Sequence, residues 1–137
     1  MTQTGAPAAP ALSLSEIGQI AVTVHDLDRA VAFYRDTLGV PFLFRVPNLA
    51  FFNCAGVRLM LGVPENAEQD HPASVIYYRV AQLDAAYQAL LARGVTFTDA
   101  PHLIARLSDR EVWMAFCKDS EGNTLALMSE PPLAAAP

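Results

Sequence analysis

The sequence predicts an α+β fold of paired βαβββ modules that form a half-open barrel. Three observations predict it. A strand-like alternation runs from Ile17 to Val24 and passes directly into a helical stripe that stops at Gly39. Short β-branched and aromatic runs follow, separated by turn residues. The plan then repeats from Val75. Val24 and Leu27-Asp28 match Val80 and Leu83-Asp84. Gly39-Val40-Pro41-Phe42 matches Gly94-Val95-Thr96-Phe97, and Gly56-Val57-Arg58-Leu59-Met60-Leu61 matches Gly122-Asn123-Thr124-Leu125-Ala126-Leu127. A single module of this size cannot close its own sheet. Two sheets are therefore expected to face each other around a shared concavity.

The elements follow in order. Residues 1–14 are rich in Ala and Pro and read as a loose tail. The domain spans 15–130, with one module over about 17–63, a second over about 73–130, and a tail over 131–137. In the first strand Ile20, Val22 and Val24 form an apolar face, and Gln19, Ala21 and Thr23 a more polar one. Asp26 is placed to cap the helix, whose stripe is Leu27, Ala30, Val31, Tyr34 and Leu38. Gly39 ends it as a left-handed cap. Strands are expected at Pro41–Val46, Ala50–Cys54 and Val57–Gly62. A polar linker, V-P-E-N-A-E-Q-D-H-P, joins the halves. In the second half Val75–Val80 is a strand, and Leu83, Ala86, Tyr87, Leu90 and Leu91 form the helical stripe. Val95–Thr98 begins another strand, and His102–Arg106 is either a short strand or a loop. Val112–Lys118 and Thr124–Met128 are strands joined by the D-S-E-G-N turn.

Composition narrows the function classes. With 53% apolar and 17% charged residues, the 137-residue chain is globular and long enough for a real core. Net charge is −5 with the basic residues scattered, which argues against nucleic acid as a partner. No apolar run approaches the length of about 20 residues that a membrane helix needs. The N-terminal residues do not read as a signal peptide. Cys54 and Cys117 sit in apolar runs and suit a reducing compartment, so a cytoplasmic protein is expected. No Ser/His/Asp order, glycine-rich phosphate loop or C-x-x-C occurs, leaving phosphoryl transfer, triad hydrolysis and structural zinc without support.

The strings V-H-D-L-D-R-A-V-A-F-Y-R-D-T-L-G-V and A-F-C-K-D-S-E-G-N-T-L-A-L resemble the vicinal oxygen chelate superfamily, also called the glyoxalase, bleomycin-resistance and extradiol-dioxygenase group. The resemblance covers about residues 17–130. It implies a glyoxalase-like fold, a homodimer, and in the family's enzymes a divalent metal held by four side chains. Those are typically His, Gln or Glu, on the first and last strand of each module. Carried onto this chain, the four positions are Gln19, Met60, Val75 and Ala126. Met, Val and Ala offer a hard cation neither oxygen nor imidazole nitrogen. A strand slipped by one residue would turn Ser74 or Arg58 inward instead. The expectation is a site without metal or other cofactor.

By parity the concave face carries Gln19, Ala21, Thr23, Arg58, Met60, Val75, Tyr77, Arg79, Thr124, Ala126 and Met128. A largely apolar lining with a few polar handles suits a small organic molecule. Arg58 and Arg79 either clamp a carboxylate or phosphate, or lie at strand ends and reach solvent. Gln19 either orients a ligand oxygen or is satisfied by nearby backbone. Trp113 is a core residue or a ring stacked on ligand at the rim. His25 is a general base at the cleft mouth or a surface turn residue, and His102 with Glu111 is an acid/base pair or part of a solvated hairpin. Binding or sequestration, as in the bleomycin-resistance branch it resembles, leads. A metal-dependent lyase, isomerase or dioxygenase, and a metal-free acid/base enzyme using His102 or His25, are the alternatives.

Overall fold

A computed structural model describes residues 12–133. Among the described residues, eight strands form two mixed four-stranded sheets, with one α-helix in each module. The first contains β1 (Gln19–Thr23), β2 (Phe42–Val46), β3 (Leu49–Cys54) and β4 (Val57–Gly62), in the order β1-β4-β3-β2. The second contains β5 (Ile76–Arg79), β6 (His102–Arg106), β7 (Glu111–Lys118) and β8 (Thr124–Ser129), in the order β5-β8-β7-β6. The lead strand of each module pairs parallel with the last, Gln19 beside Arg58 and Tyr77 beside Ala126, and the other pairings are antiparallel. A parallel pair needs a crossover, which each module's helix supplies. This is the paired βαβββ, half-open architecture that the repeat predicts.

Helix α1 (Leu27–Ala32) is capped by Asp26, whose Oδ1 accepts the Arg29 N–H at 3.1 Å. Leu27, Ala30, Val31 and Tyr34 are buried and join Val22, Val24, Phe52, Leu59 and Leu61 in the core. The chain from Val24 to Gly39 is one residue longer than from Val80 to Gly94. The structure accommodates the extra residue as a π turn over Phe33–Thr37, with the Leu38 N–H reaching back to the Phe33 carbonyl and the Val40 N–H to that of Tyr34. Helix α2 (Leu83–Ala92) has no such turn, and its stripe buries Leu83 and Leu90. Gly39 and Gly94 end the two helices at φ of 76° and 86°, the left-handed cap conformation.

The D-S-E-G-N turn fastens the modules together. Asp119 is 6% exposed and accepts four hydrogen bonds. Its Oδ1 takes the N–H groups of Glu121 and Asn123, and its Oδ2 takes the Asn123 amide and the Tyr34 hydroxyl at 2.7 Å. The same Asn123 amide donates to the Thr23 carbonyl of β1. Glu121 accepts the N–H groups of His25 and Asp26. The free N–H groups at the start of α1 are thus met by a side chain from the other module.

Strand bounds differ from expectation mainly at one place. Val95–Thr98 is not a strand; only a bridge between Phe97 and Cys117 remains. The Asp99 side chain takes the Phe116 N–H at 3.1 Å, and Pro101 has no N–H to give, so pairing resumes only at β6. The open alternative at His102–Arg106 resolves as a strand. Residues 131–133 add backbone bonds to the β6–β7 turn, with the Leu133 N–H on the Asp109 carbonyl and the Glu111 N–H on that of Pro131. Of the N-terminal tail, residues 1–11 lie outside the described residues, as do 134–137 at the other end.

Candidate functional site

Residues paired directly across strands share a face of the sheet. The register therefore assembles the concave face of the first sheet as Gln19 with Arg58 and Asn53, then Ala21 with Met60, Phe51 and Phe44, then Thr23 with Gly62 and Leu49. The second sheet presents Tyr77 with Ala126 and Phe116, then Arg79 with Met128, Met114 and His102. Gln19, Thr23, Arg58 and Met60 are thus together, as are Tyr77, Arg79 and Ala126. Val75 precedes β5 and is exposed.

The polar handles of the first sheet are already engaged with one another. The Arg58 Nε donates to the Gln19 Oε1 at 2.9 Å, and the Gln19 amide lies 3.7 Å from the Met60 sulfur. The guanidinium also sits over the Phe51 ring, 5.8 Å from its centroid, and Phe51 stacks on Phe44 at 4.7 Å. The result is one cation above an aromatic pair, a surface matched to a planar anion. In the second sheet Ala126 is fully buried between its strand partners Tyr77 and Phe116, whose rings meet edge to face at 5.9 Å. Arg79 reaches toward Glu130 at 3.4 Å instead of standing free. Phe44 and Tyr77 remain 46% and 47% exposed on these faces, so the concave side of one chain is open and rich in aromatic surface.

Three candidates fall elsewhere. Trp113 pairs with Ser129, the register that shares the helix-covered face with Leu125 and Leu127, and Glu111 follows the same parity. The Trp113 indole donates to Glu111 at 3.0 Å, and the other Glu111 oxygen pairs with Arg106 at 2.7 Å. The Trp113 and Arg106 bonds hold the Glu111 carboxyl below its usual range. Glu111 therefore stands in a hairpin ion pair and not beside His102. His102 occupies the concave row of Arg79, its Nδ1 3.0 Å from the Ala100 carbonyl and 3.5 Å from Asp99. His25, after β1, is bracketed by two carboxylates: Asp70 of the linker at 2.9 Å and Glu121 at 3.3 Å. The hydrogen bond and charge of Asp70 raise the imidazole pKa above its ordinary value.

The sequence alone reads Phe51 and Phe116 as core, with one or two such rings at a ligand's rim, and does not single out Phe44. Their inward parity becomes visible only once the register places them beside Met60 and Ala126.

The four positions to which the family resemblance assigns metal ligands do not carry a donor set for a hard cation. Their side chains are an amide, a thioether and two hydrocarbons, and the amide oxygen is held by a guanidinium. Among the described residues no three His, Cys, Asp or Glu side chains come together as a metal-binding group. No helix among them is long and apolar enough to cross a membrane.

The sequence profile of the Glyoxalase/Bleomycin resistance protein/Dioxygenase superfamily matches residues 16–127. The metallothiol transferase FosB of Staphylococcus epidermidis is 28% identical over 109 residues, 80% of this chain but 63% of that protein. The chain thus spans less than two thirds of that relative's length. Among solved structures, a member of the same superfamily from Sphaerobacter thermophilus is 26% identical and superposes with a TM-score of 0.70, covering 87% of this chain and all of the other. A lactoylglutathione lyase from Agrobacterium tumefaciens, 21% identical, superposes with a TM-score of 0.66 over 85% of this chain and 95% of its own; at that identity the likeness concerns the fold.

Proposed function

This chain belongs to the Glyoxalase/Bleomycin resistance protein/Dioxygenase superfamily, and from that membership we propose that it binds a small organic molecule without a metal ion. The bound molecule lies on the concave faces, between Gln19, Thr23, Arg58 and Met60 on one side and Val75, Tyr77, Arg79 and Ala126 on the other. A homodimer covers the aromatic surface that one chain leaves open. The protein is cytoplasmic, in keeping with its two free thiols.

One observation carries this reading: the Arg58 guanidinium donates to the Gln19 amide oxygen at 2.9 Å. Of the four family positions only Gln19 has an oxygen to give, and that oxygen already answers a fixed positive charge. Unit charges about 4 Å apart repel by about 1 kcal/mol in water and about 4 kcal/mol at an effective permittivity of 20, and a dication doubles either figure. The same guanidinium attracts an anion. A flat, anionic aromatic compound fits the Arg58, Phe51 and Phe44 cluster best, and sequestration of a drug or metabolite is the mode.

Elemental analysis of the freshly purified chain is expected to find no stoichiometric Zn, Ni, Mn or Fe. A thermal-shift panel is expected to single out aromatic carboxylates, with the shift lost in Arg58→Ala. Stoichiometric metal would overturn this reading in favour of a metal-dependent lyase, isomerase, dioxygenase or transferase. A second reading, a metal-free acid/base enzyme, draws support from His102 standing in the Arg79 row with Asp99 at 3.5 Å. It requires a turnover that His102→Ala abolishes while binding persists.

A further inference from the structure

The two halves are filled unequally where each helix meets the opposite module. In the first half Phe33 and Tyr34 occupy that junction, their rings edge to face at 5.6 Å. The Asp119–Asn123 turn closes over them through the Tyr34 hydroxyl, and Glu121 covers the start of α1. The void left around Tyr34 measures about 10 Å³. The repeat puts Ala89 and Leu90 in the places of Phe33 and Tyr34, and Asn53 and Ala55 in the places of Asp119 and Glu121. Two rings, one hydroxyl and two carboxylates are missing from the second junction, where a leucine stands for the tyrosine and an amide for one of the carboxylates. A cavity of about 600 Å³ takes their place, bounded by α2, the helix-covered face of the second sheet and the Asn53–Ala55 turn. That is within the roughly 300–1,000 Å³ of ordinary small-molecule sites.

The lining has a definite chemistry. Leu90, Leu125 and Leu127 are buried hydrocarbon walls, and no Asp or Glu borders the space. Arg79 and Arg93 border it too, but the Arg93 guanidinium donates to the Thr37 carbonyl at 2.8 Å and that of Arg79 reaches toward Glu130 at 3.4 Å. Tyr78 stands where the first half has Val22, so the repeat gains a hydroxyl here. That hydroxyl is buried out of reach of the space, although Tyr78 borders it.

We propose that this cavity is a second small-molecule site, which takes a compact, neutral, mainly apolar molecule packed against Leu90, Leu125 and Leu127. Its Leu125 and Leu127 wall lies on the opposite face of the second sheet from Tyr77 and Ala126, and Arg79 is a residue that borders both sites.

Acetophenone, a ring with one carbonyl, is the probe, titrated into the full chain by NMR. The expected result is a saturable shift with intermolecular NOEs to the methyls of Ala89, Leu125 and Leu127. Ala89→Phe, which returns the ring that the first half carries, should weaken binding by more than tenfold. NOEs confined to the methyls of Met60 or Met128, no saturable shift, or unchanged affinity in a folded Ala89→Phe variant would each overturn the proposal. The wild-type NOE pattern decides alone if that variant does not fold.

Discussion

Tyr34 shows how much one atom does in this molecule. Its hydroxyl is the side-chain donor that the π turn after α1 sends to the buried Asp119, at 2.7 Å. Burial, followed by the negative Asp119, holds the phenol firmly protonated by raising its pKa. Tyr34→Phe keeps the ring and removes the donor, leaving a buried carboxylate with a bond unmade. It is expected to cost about 1.5–3 kcal/mol, the worth of a hydrogen bond to a charged group, read as a lower urea midpoint at unchanged slope. His25 behaves differently because it is exposed. With its pKa raised in the folded state, its pairing with Asp70 stabilises fully below about pH 6.5 and fades as pH rises through the raised value. An NMR titration of the ring should place it above the ordinary histidine value, and Asp70→Asn should bring it back down. Protease sensitivity of the 65–73 linker should increase over the same interval, since Asp70 lies on that segment.

The two helices look alike in sequence and differ as elements. Each ends in a left-handed glycine, and a Cβ at either position would meet nothing within 4 Å. Gly39→Ala and Gly94→Ala should therefore each cost about 1–2 kcal/mol from backbone conformation alone. Larger losses by calorimetry would mean that packing contributes too. The π turn in α1 lets Tyr34 face the core while Gly39 still closes the helix. Deleting Arg35 would shorten the helical stretch from Leu27 to Thr37 to the length of α2, and the turn could then no longer hold both Tyr34 and Val40 in place. The expected outcome is loss of the cooperative thermal transition, whereas the same deletion tolerated at full stability would make the turn incidental.

At the scale of the whole molecule, the exposed concave aromatics call for a partner surface. If two chains cover each other there, Phe44→Glu should convert the dimer to monomer in size-exclusion chromatography with light scattering. The charge would be buried without a partner, and the stacked pair with Phe51 at 4.7 Å would be lost. A monomeric wild-type chain at micromolar concentration would remove the homodimer from the proposal.

Much of this was legible in the chain itself. Period-two and helical spacing fixed which faces of β1, β5, α1 and α2 turn inward, because burial of apolar side chains depends on that spacing and little else. The glycine caps, the Asp26 cap and the internal repeat were legible for the same local reason. The residue types also tell that the positions to which the family resemblance assigns metal ligands carry one amide, one thioether and two hydrocarbons, since donor chemistry is a property of residue type. Register was not legible. Only pairing across strands put Arg58 on Gln19, brought Phe51 and Phe116 to the concave face, and separated Trp113 and Glu111 from it. Nor could spacing reveal that the D-S-E-G-N turn fastens α1, or that Ala89 and Ala55 leave a cavity where Phe33 and Glu121 leave none. Those facts depend on side chains far apart in the chain meeting in space, and no local pattern encodes the volume that remains between them.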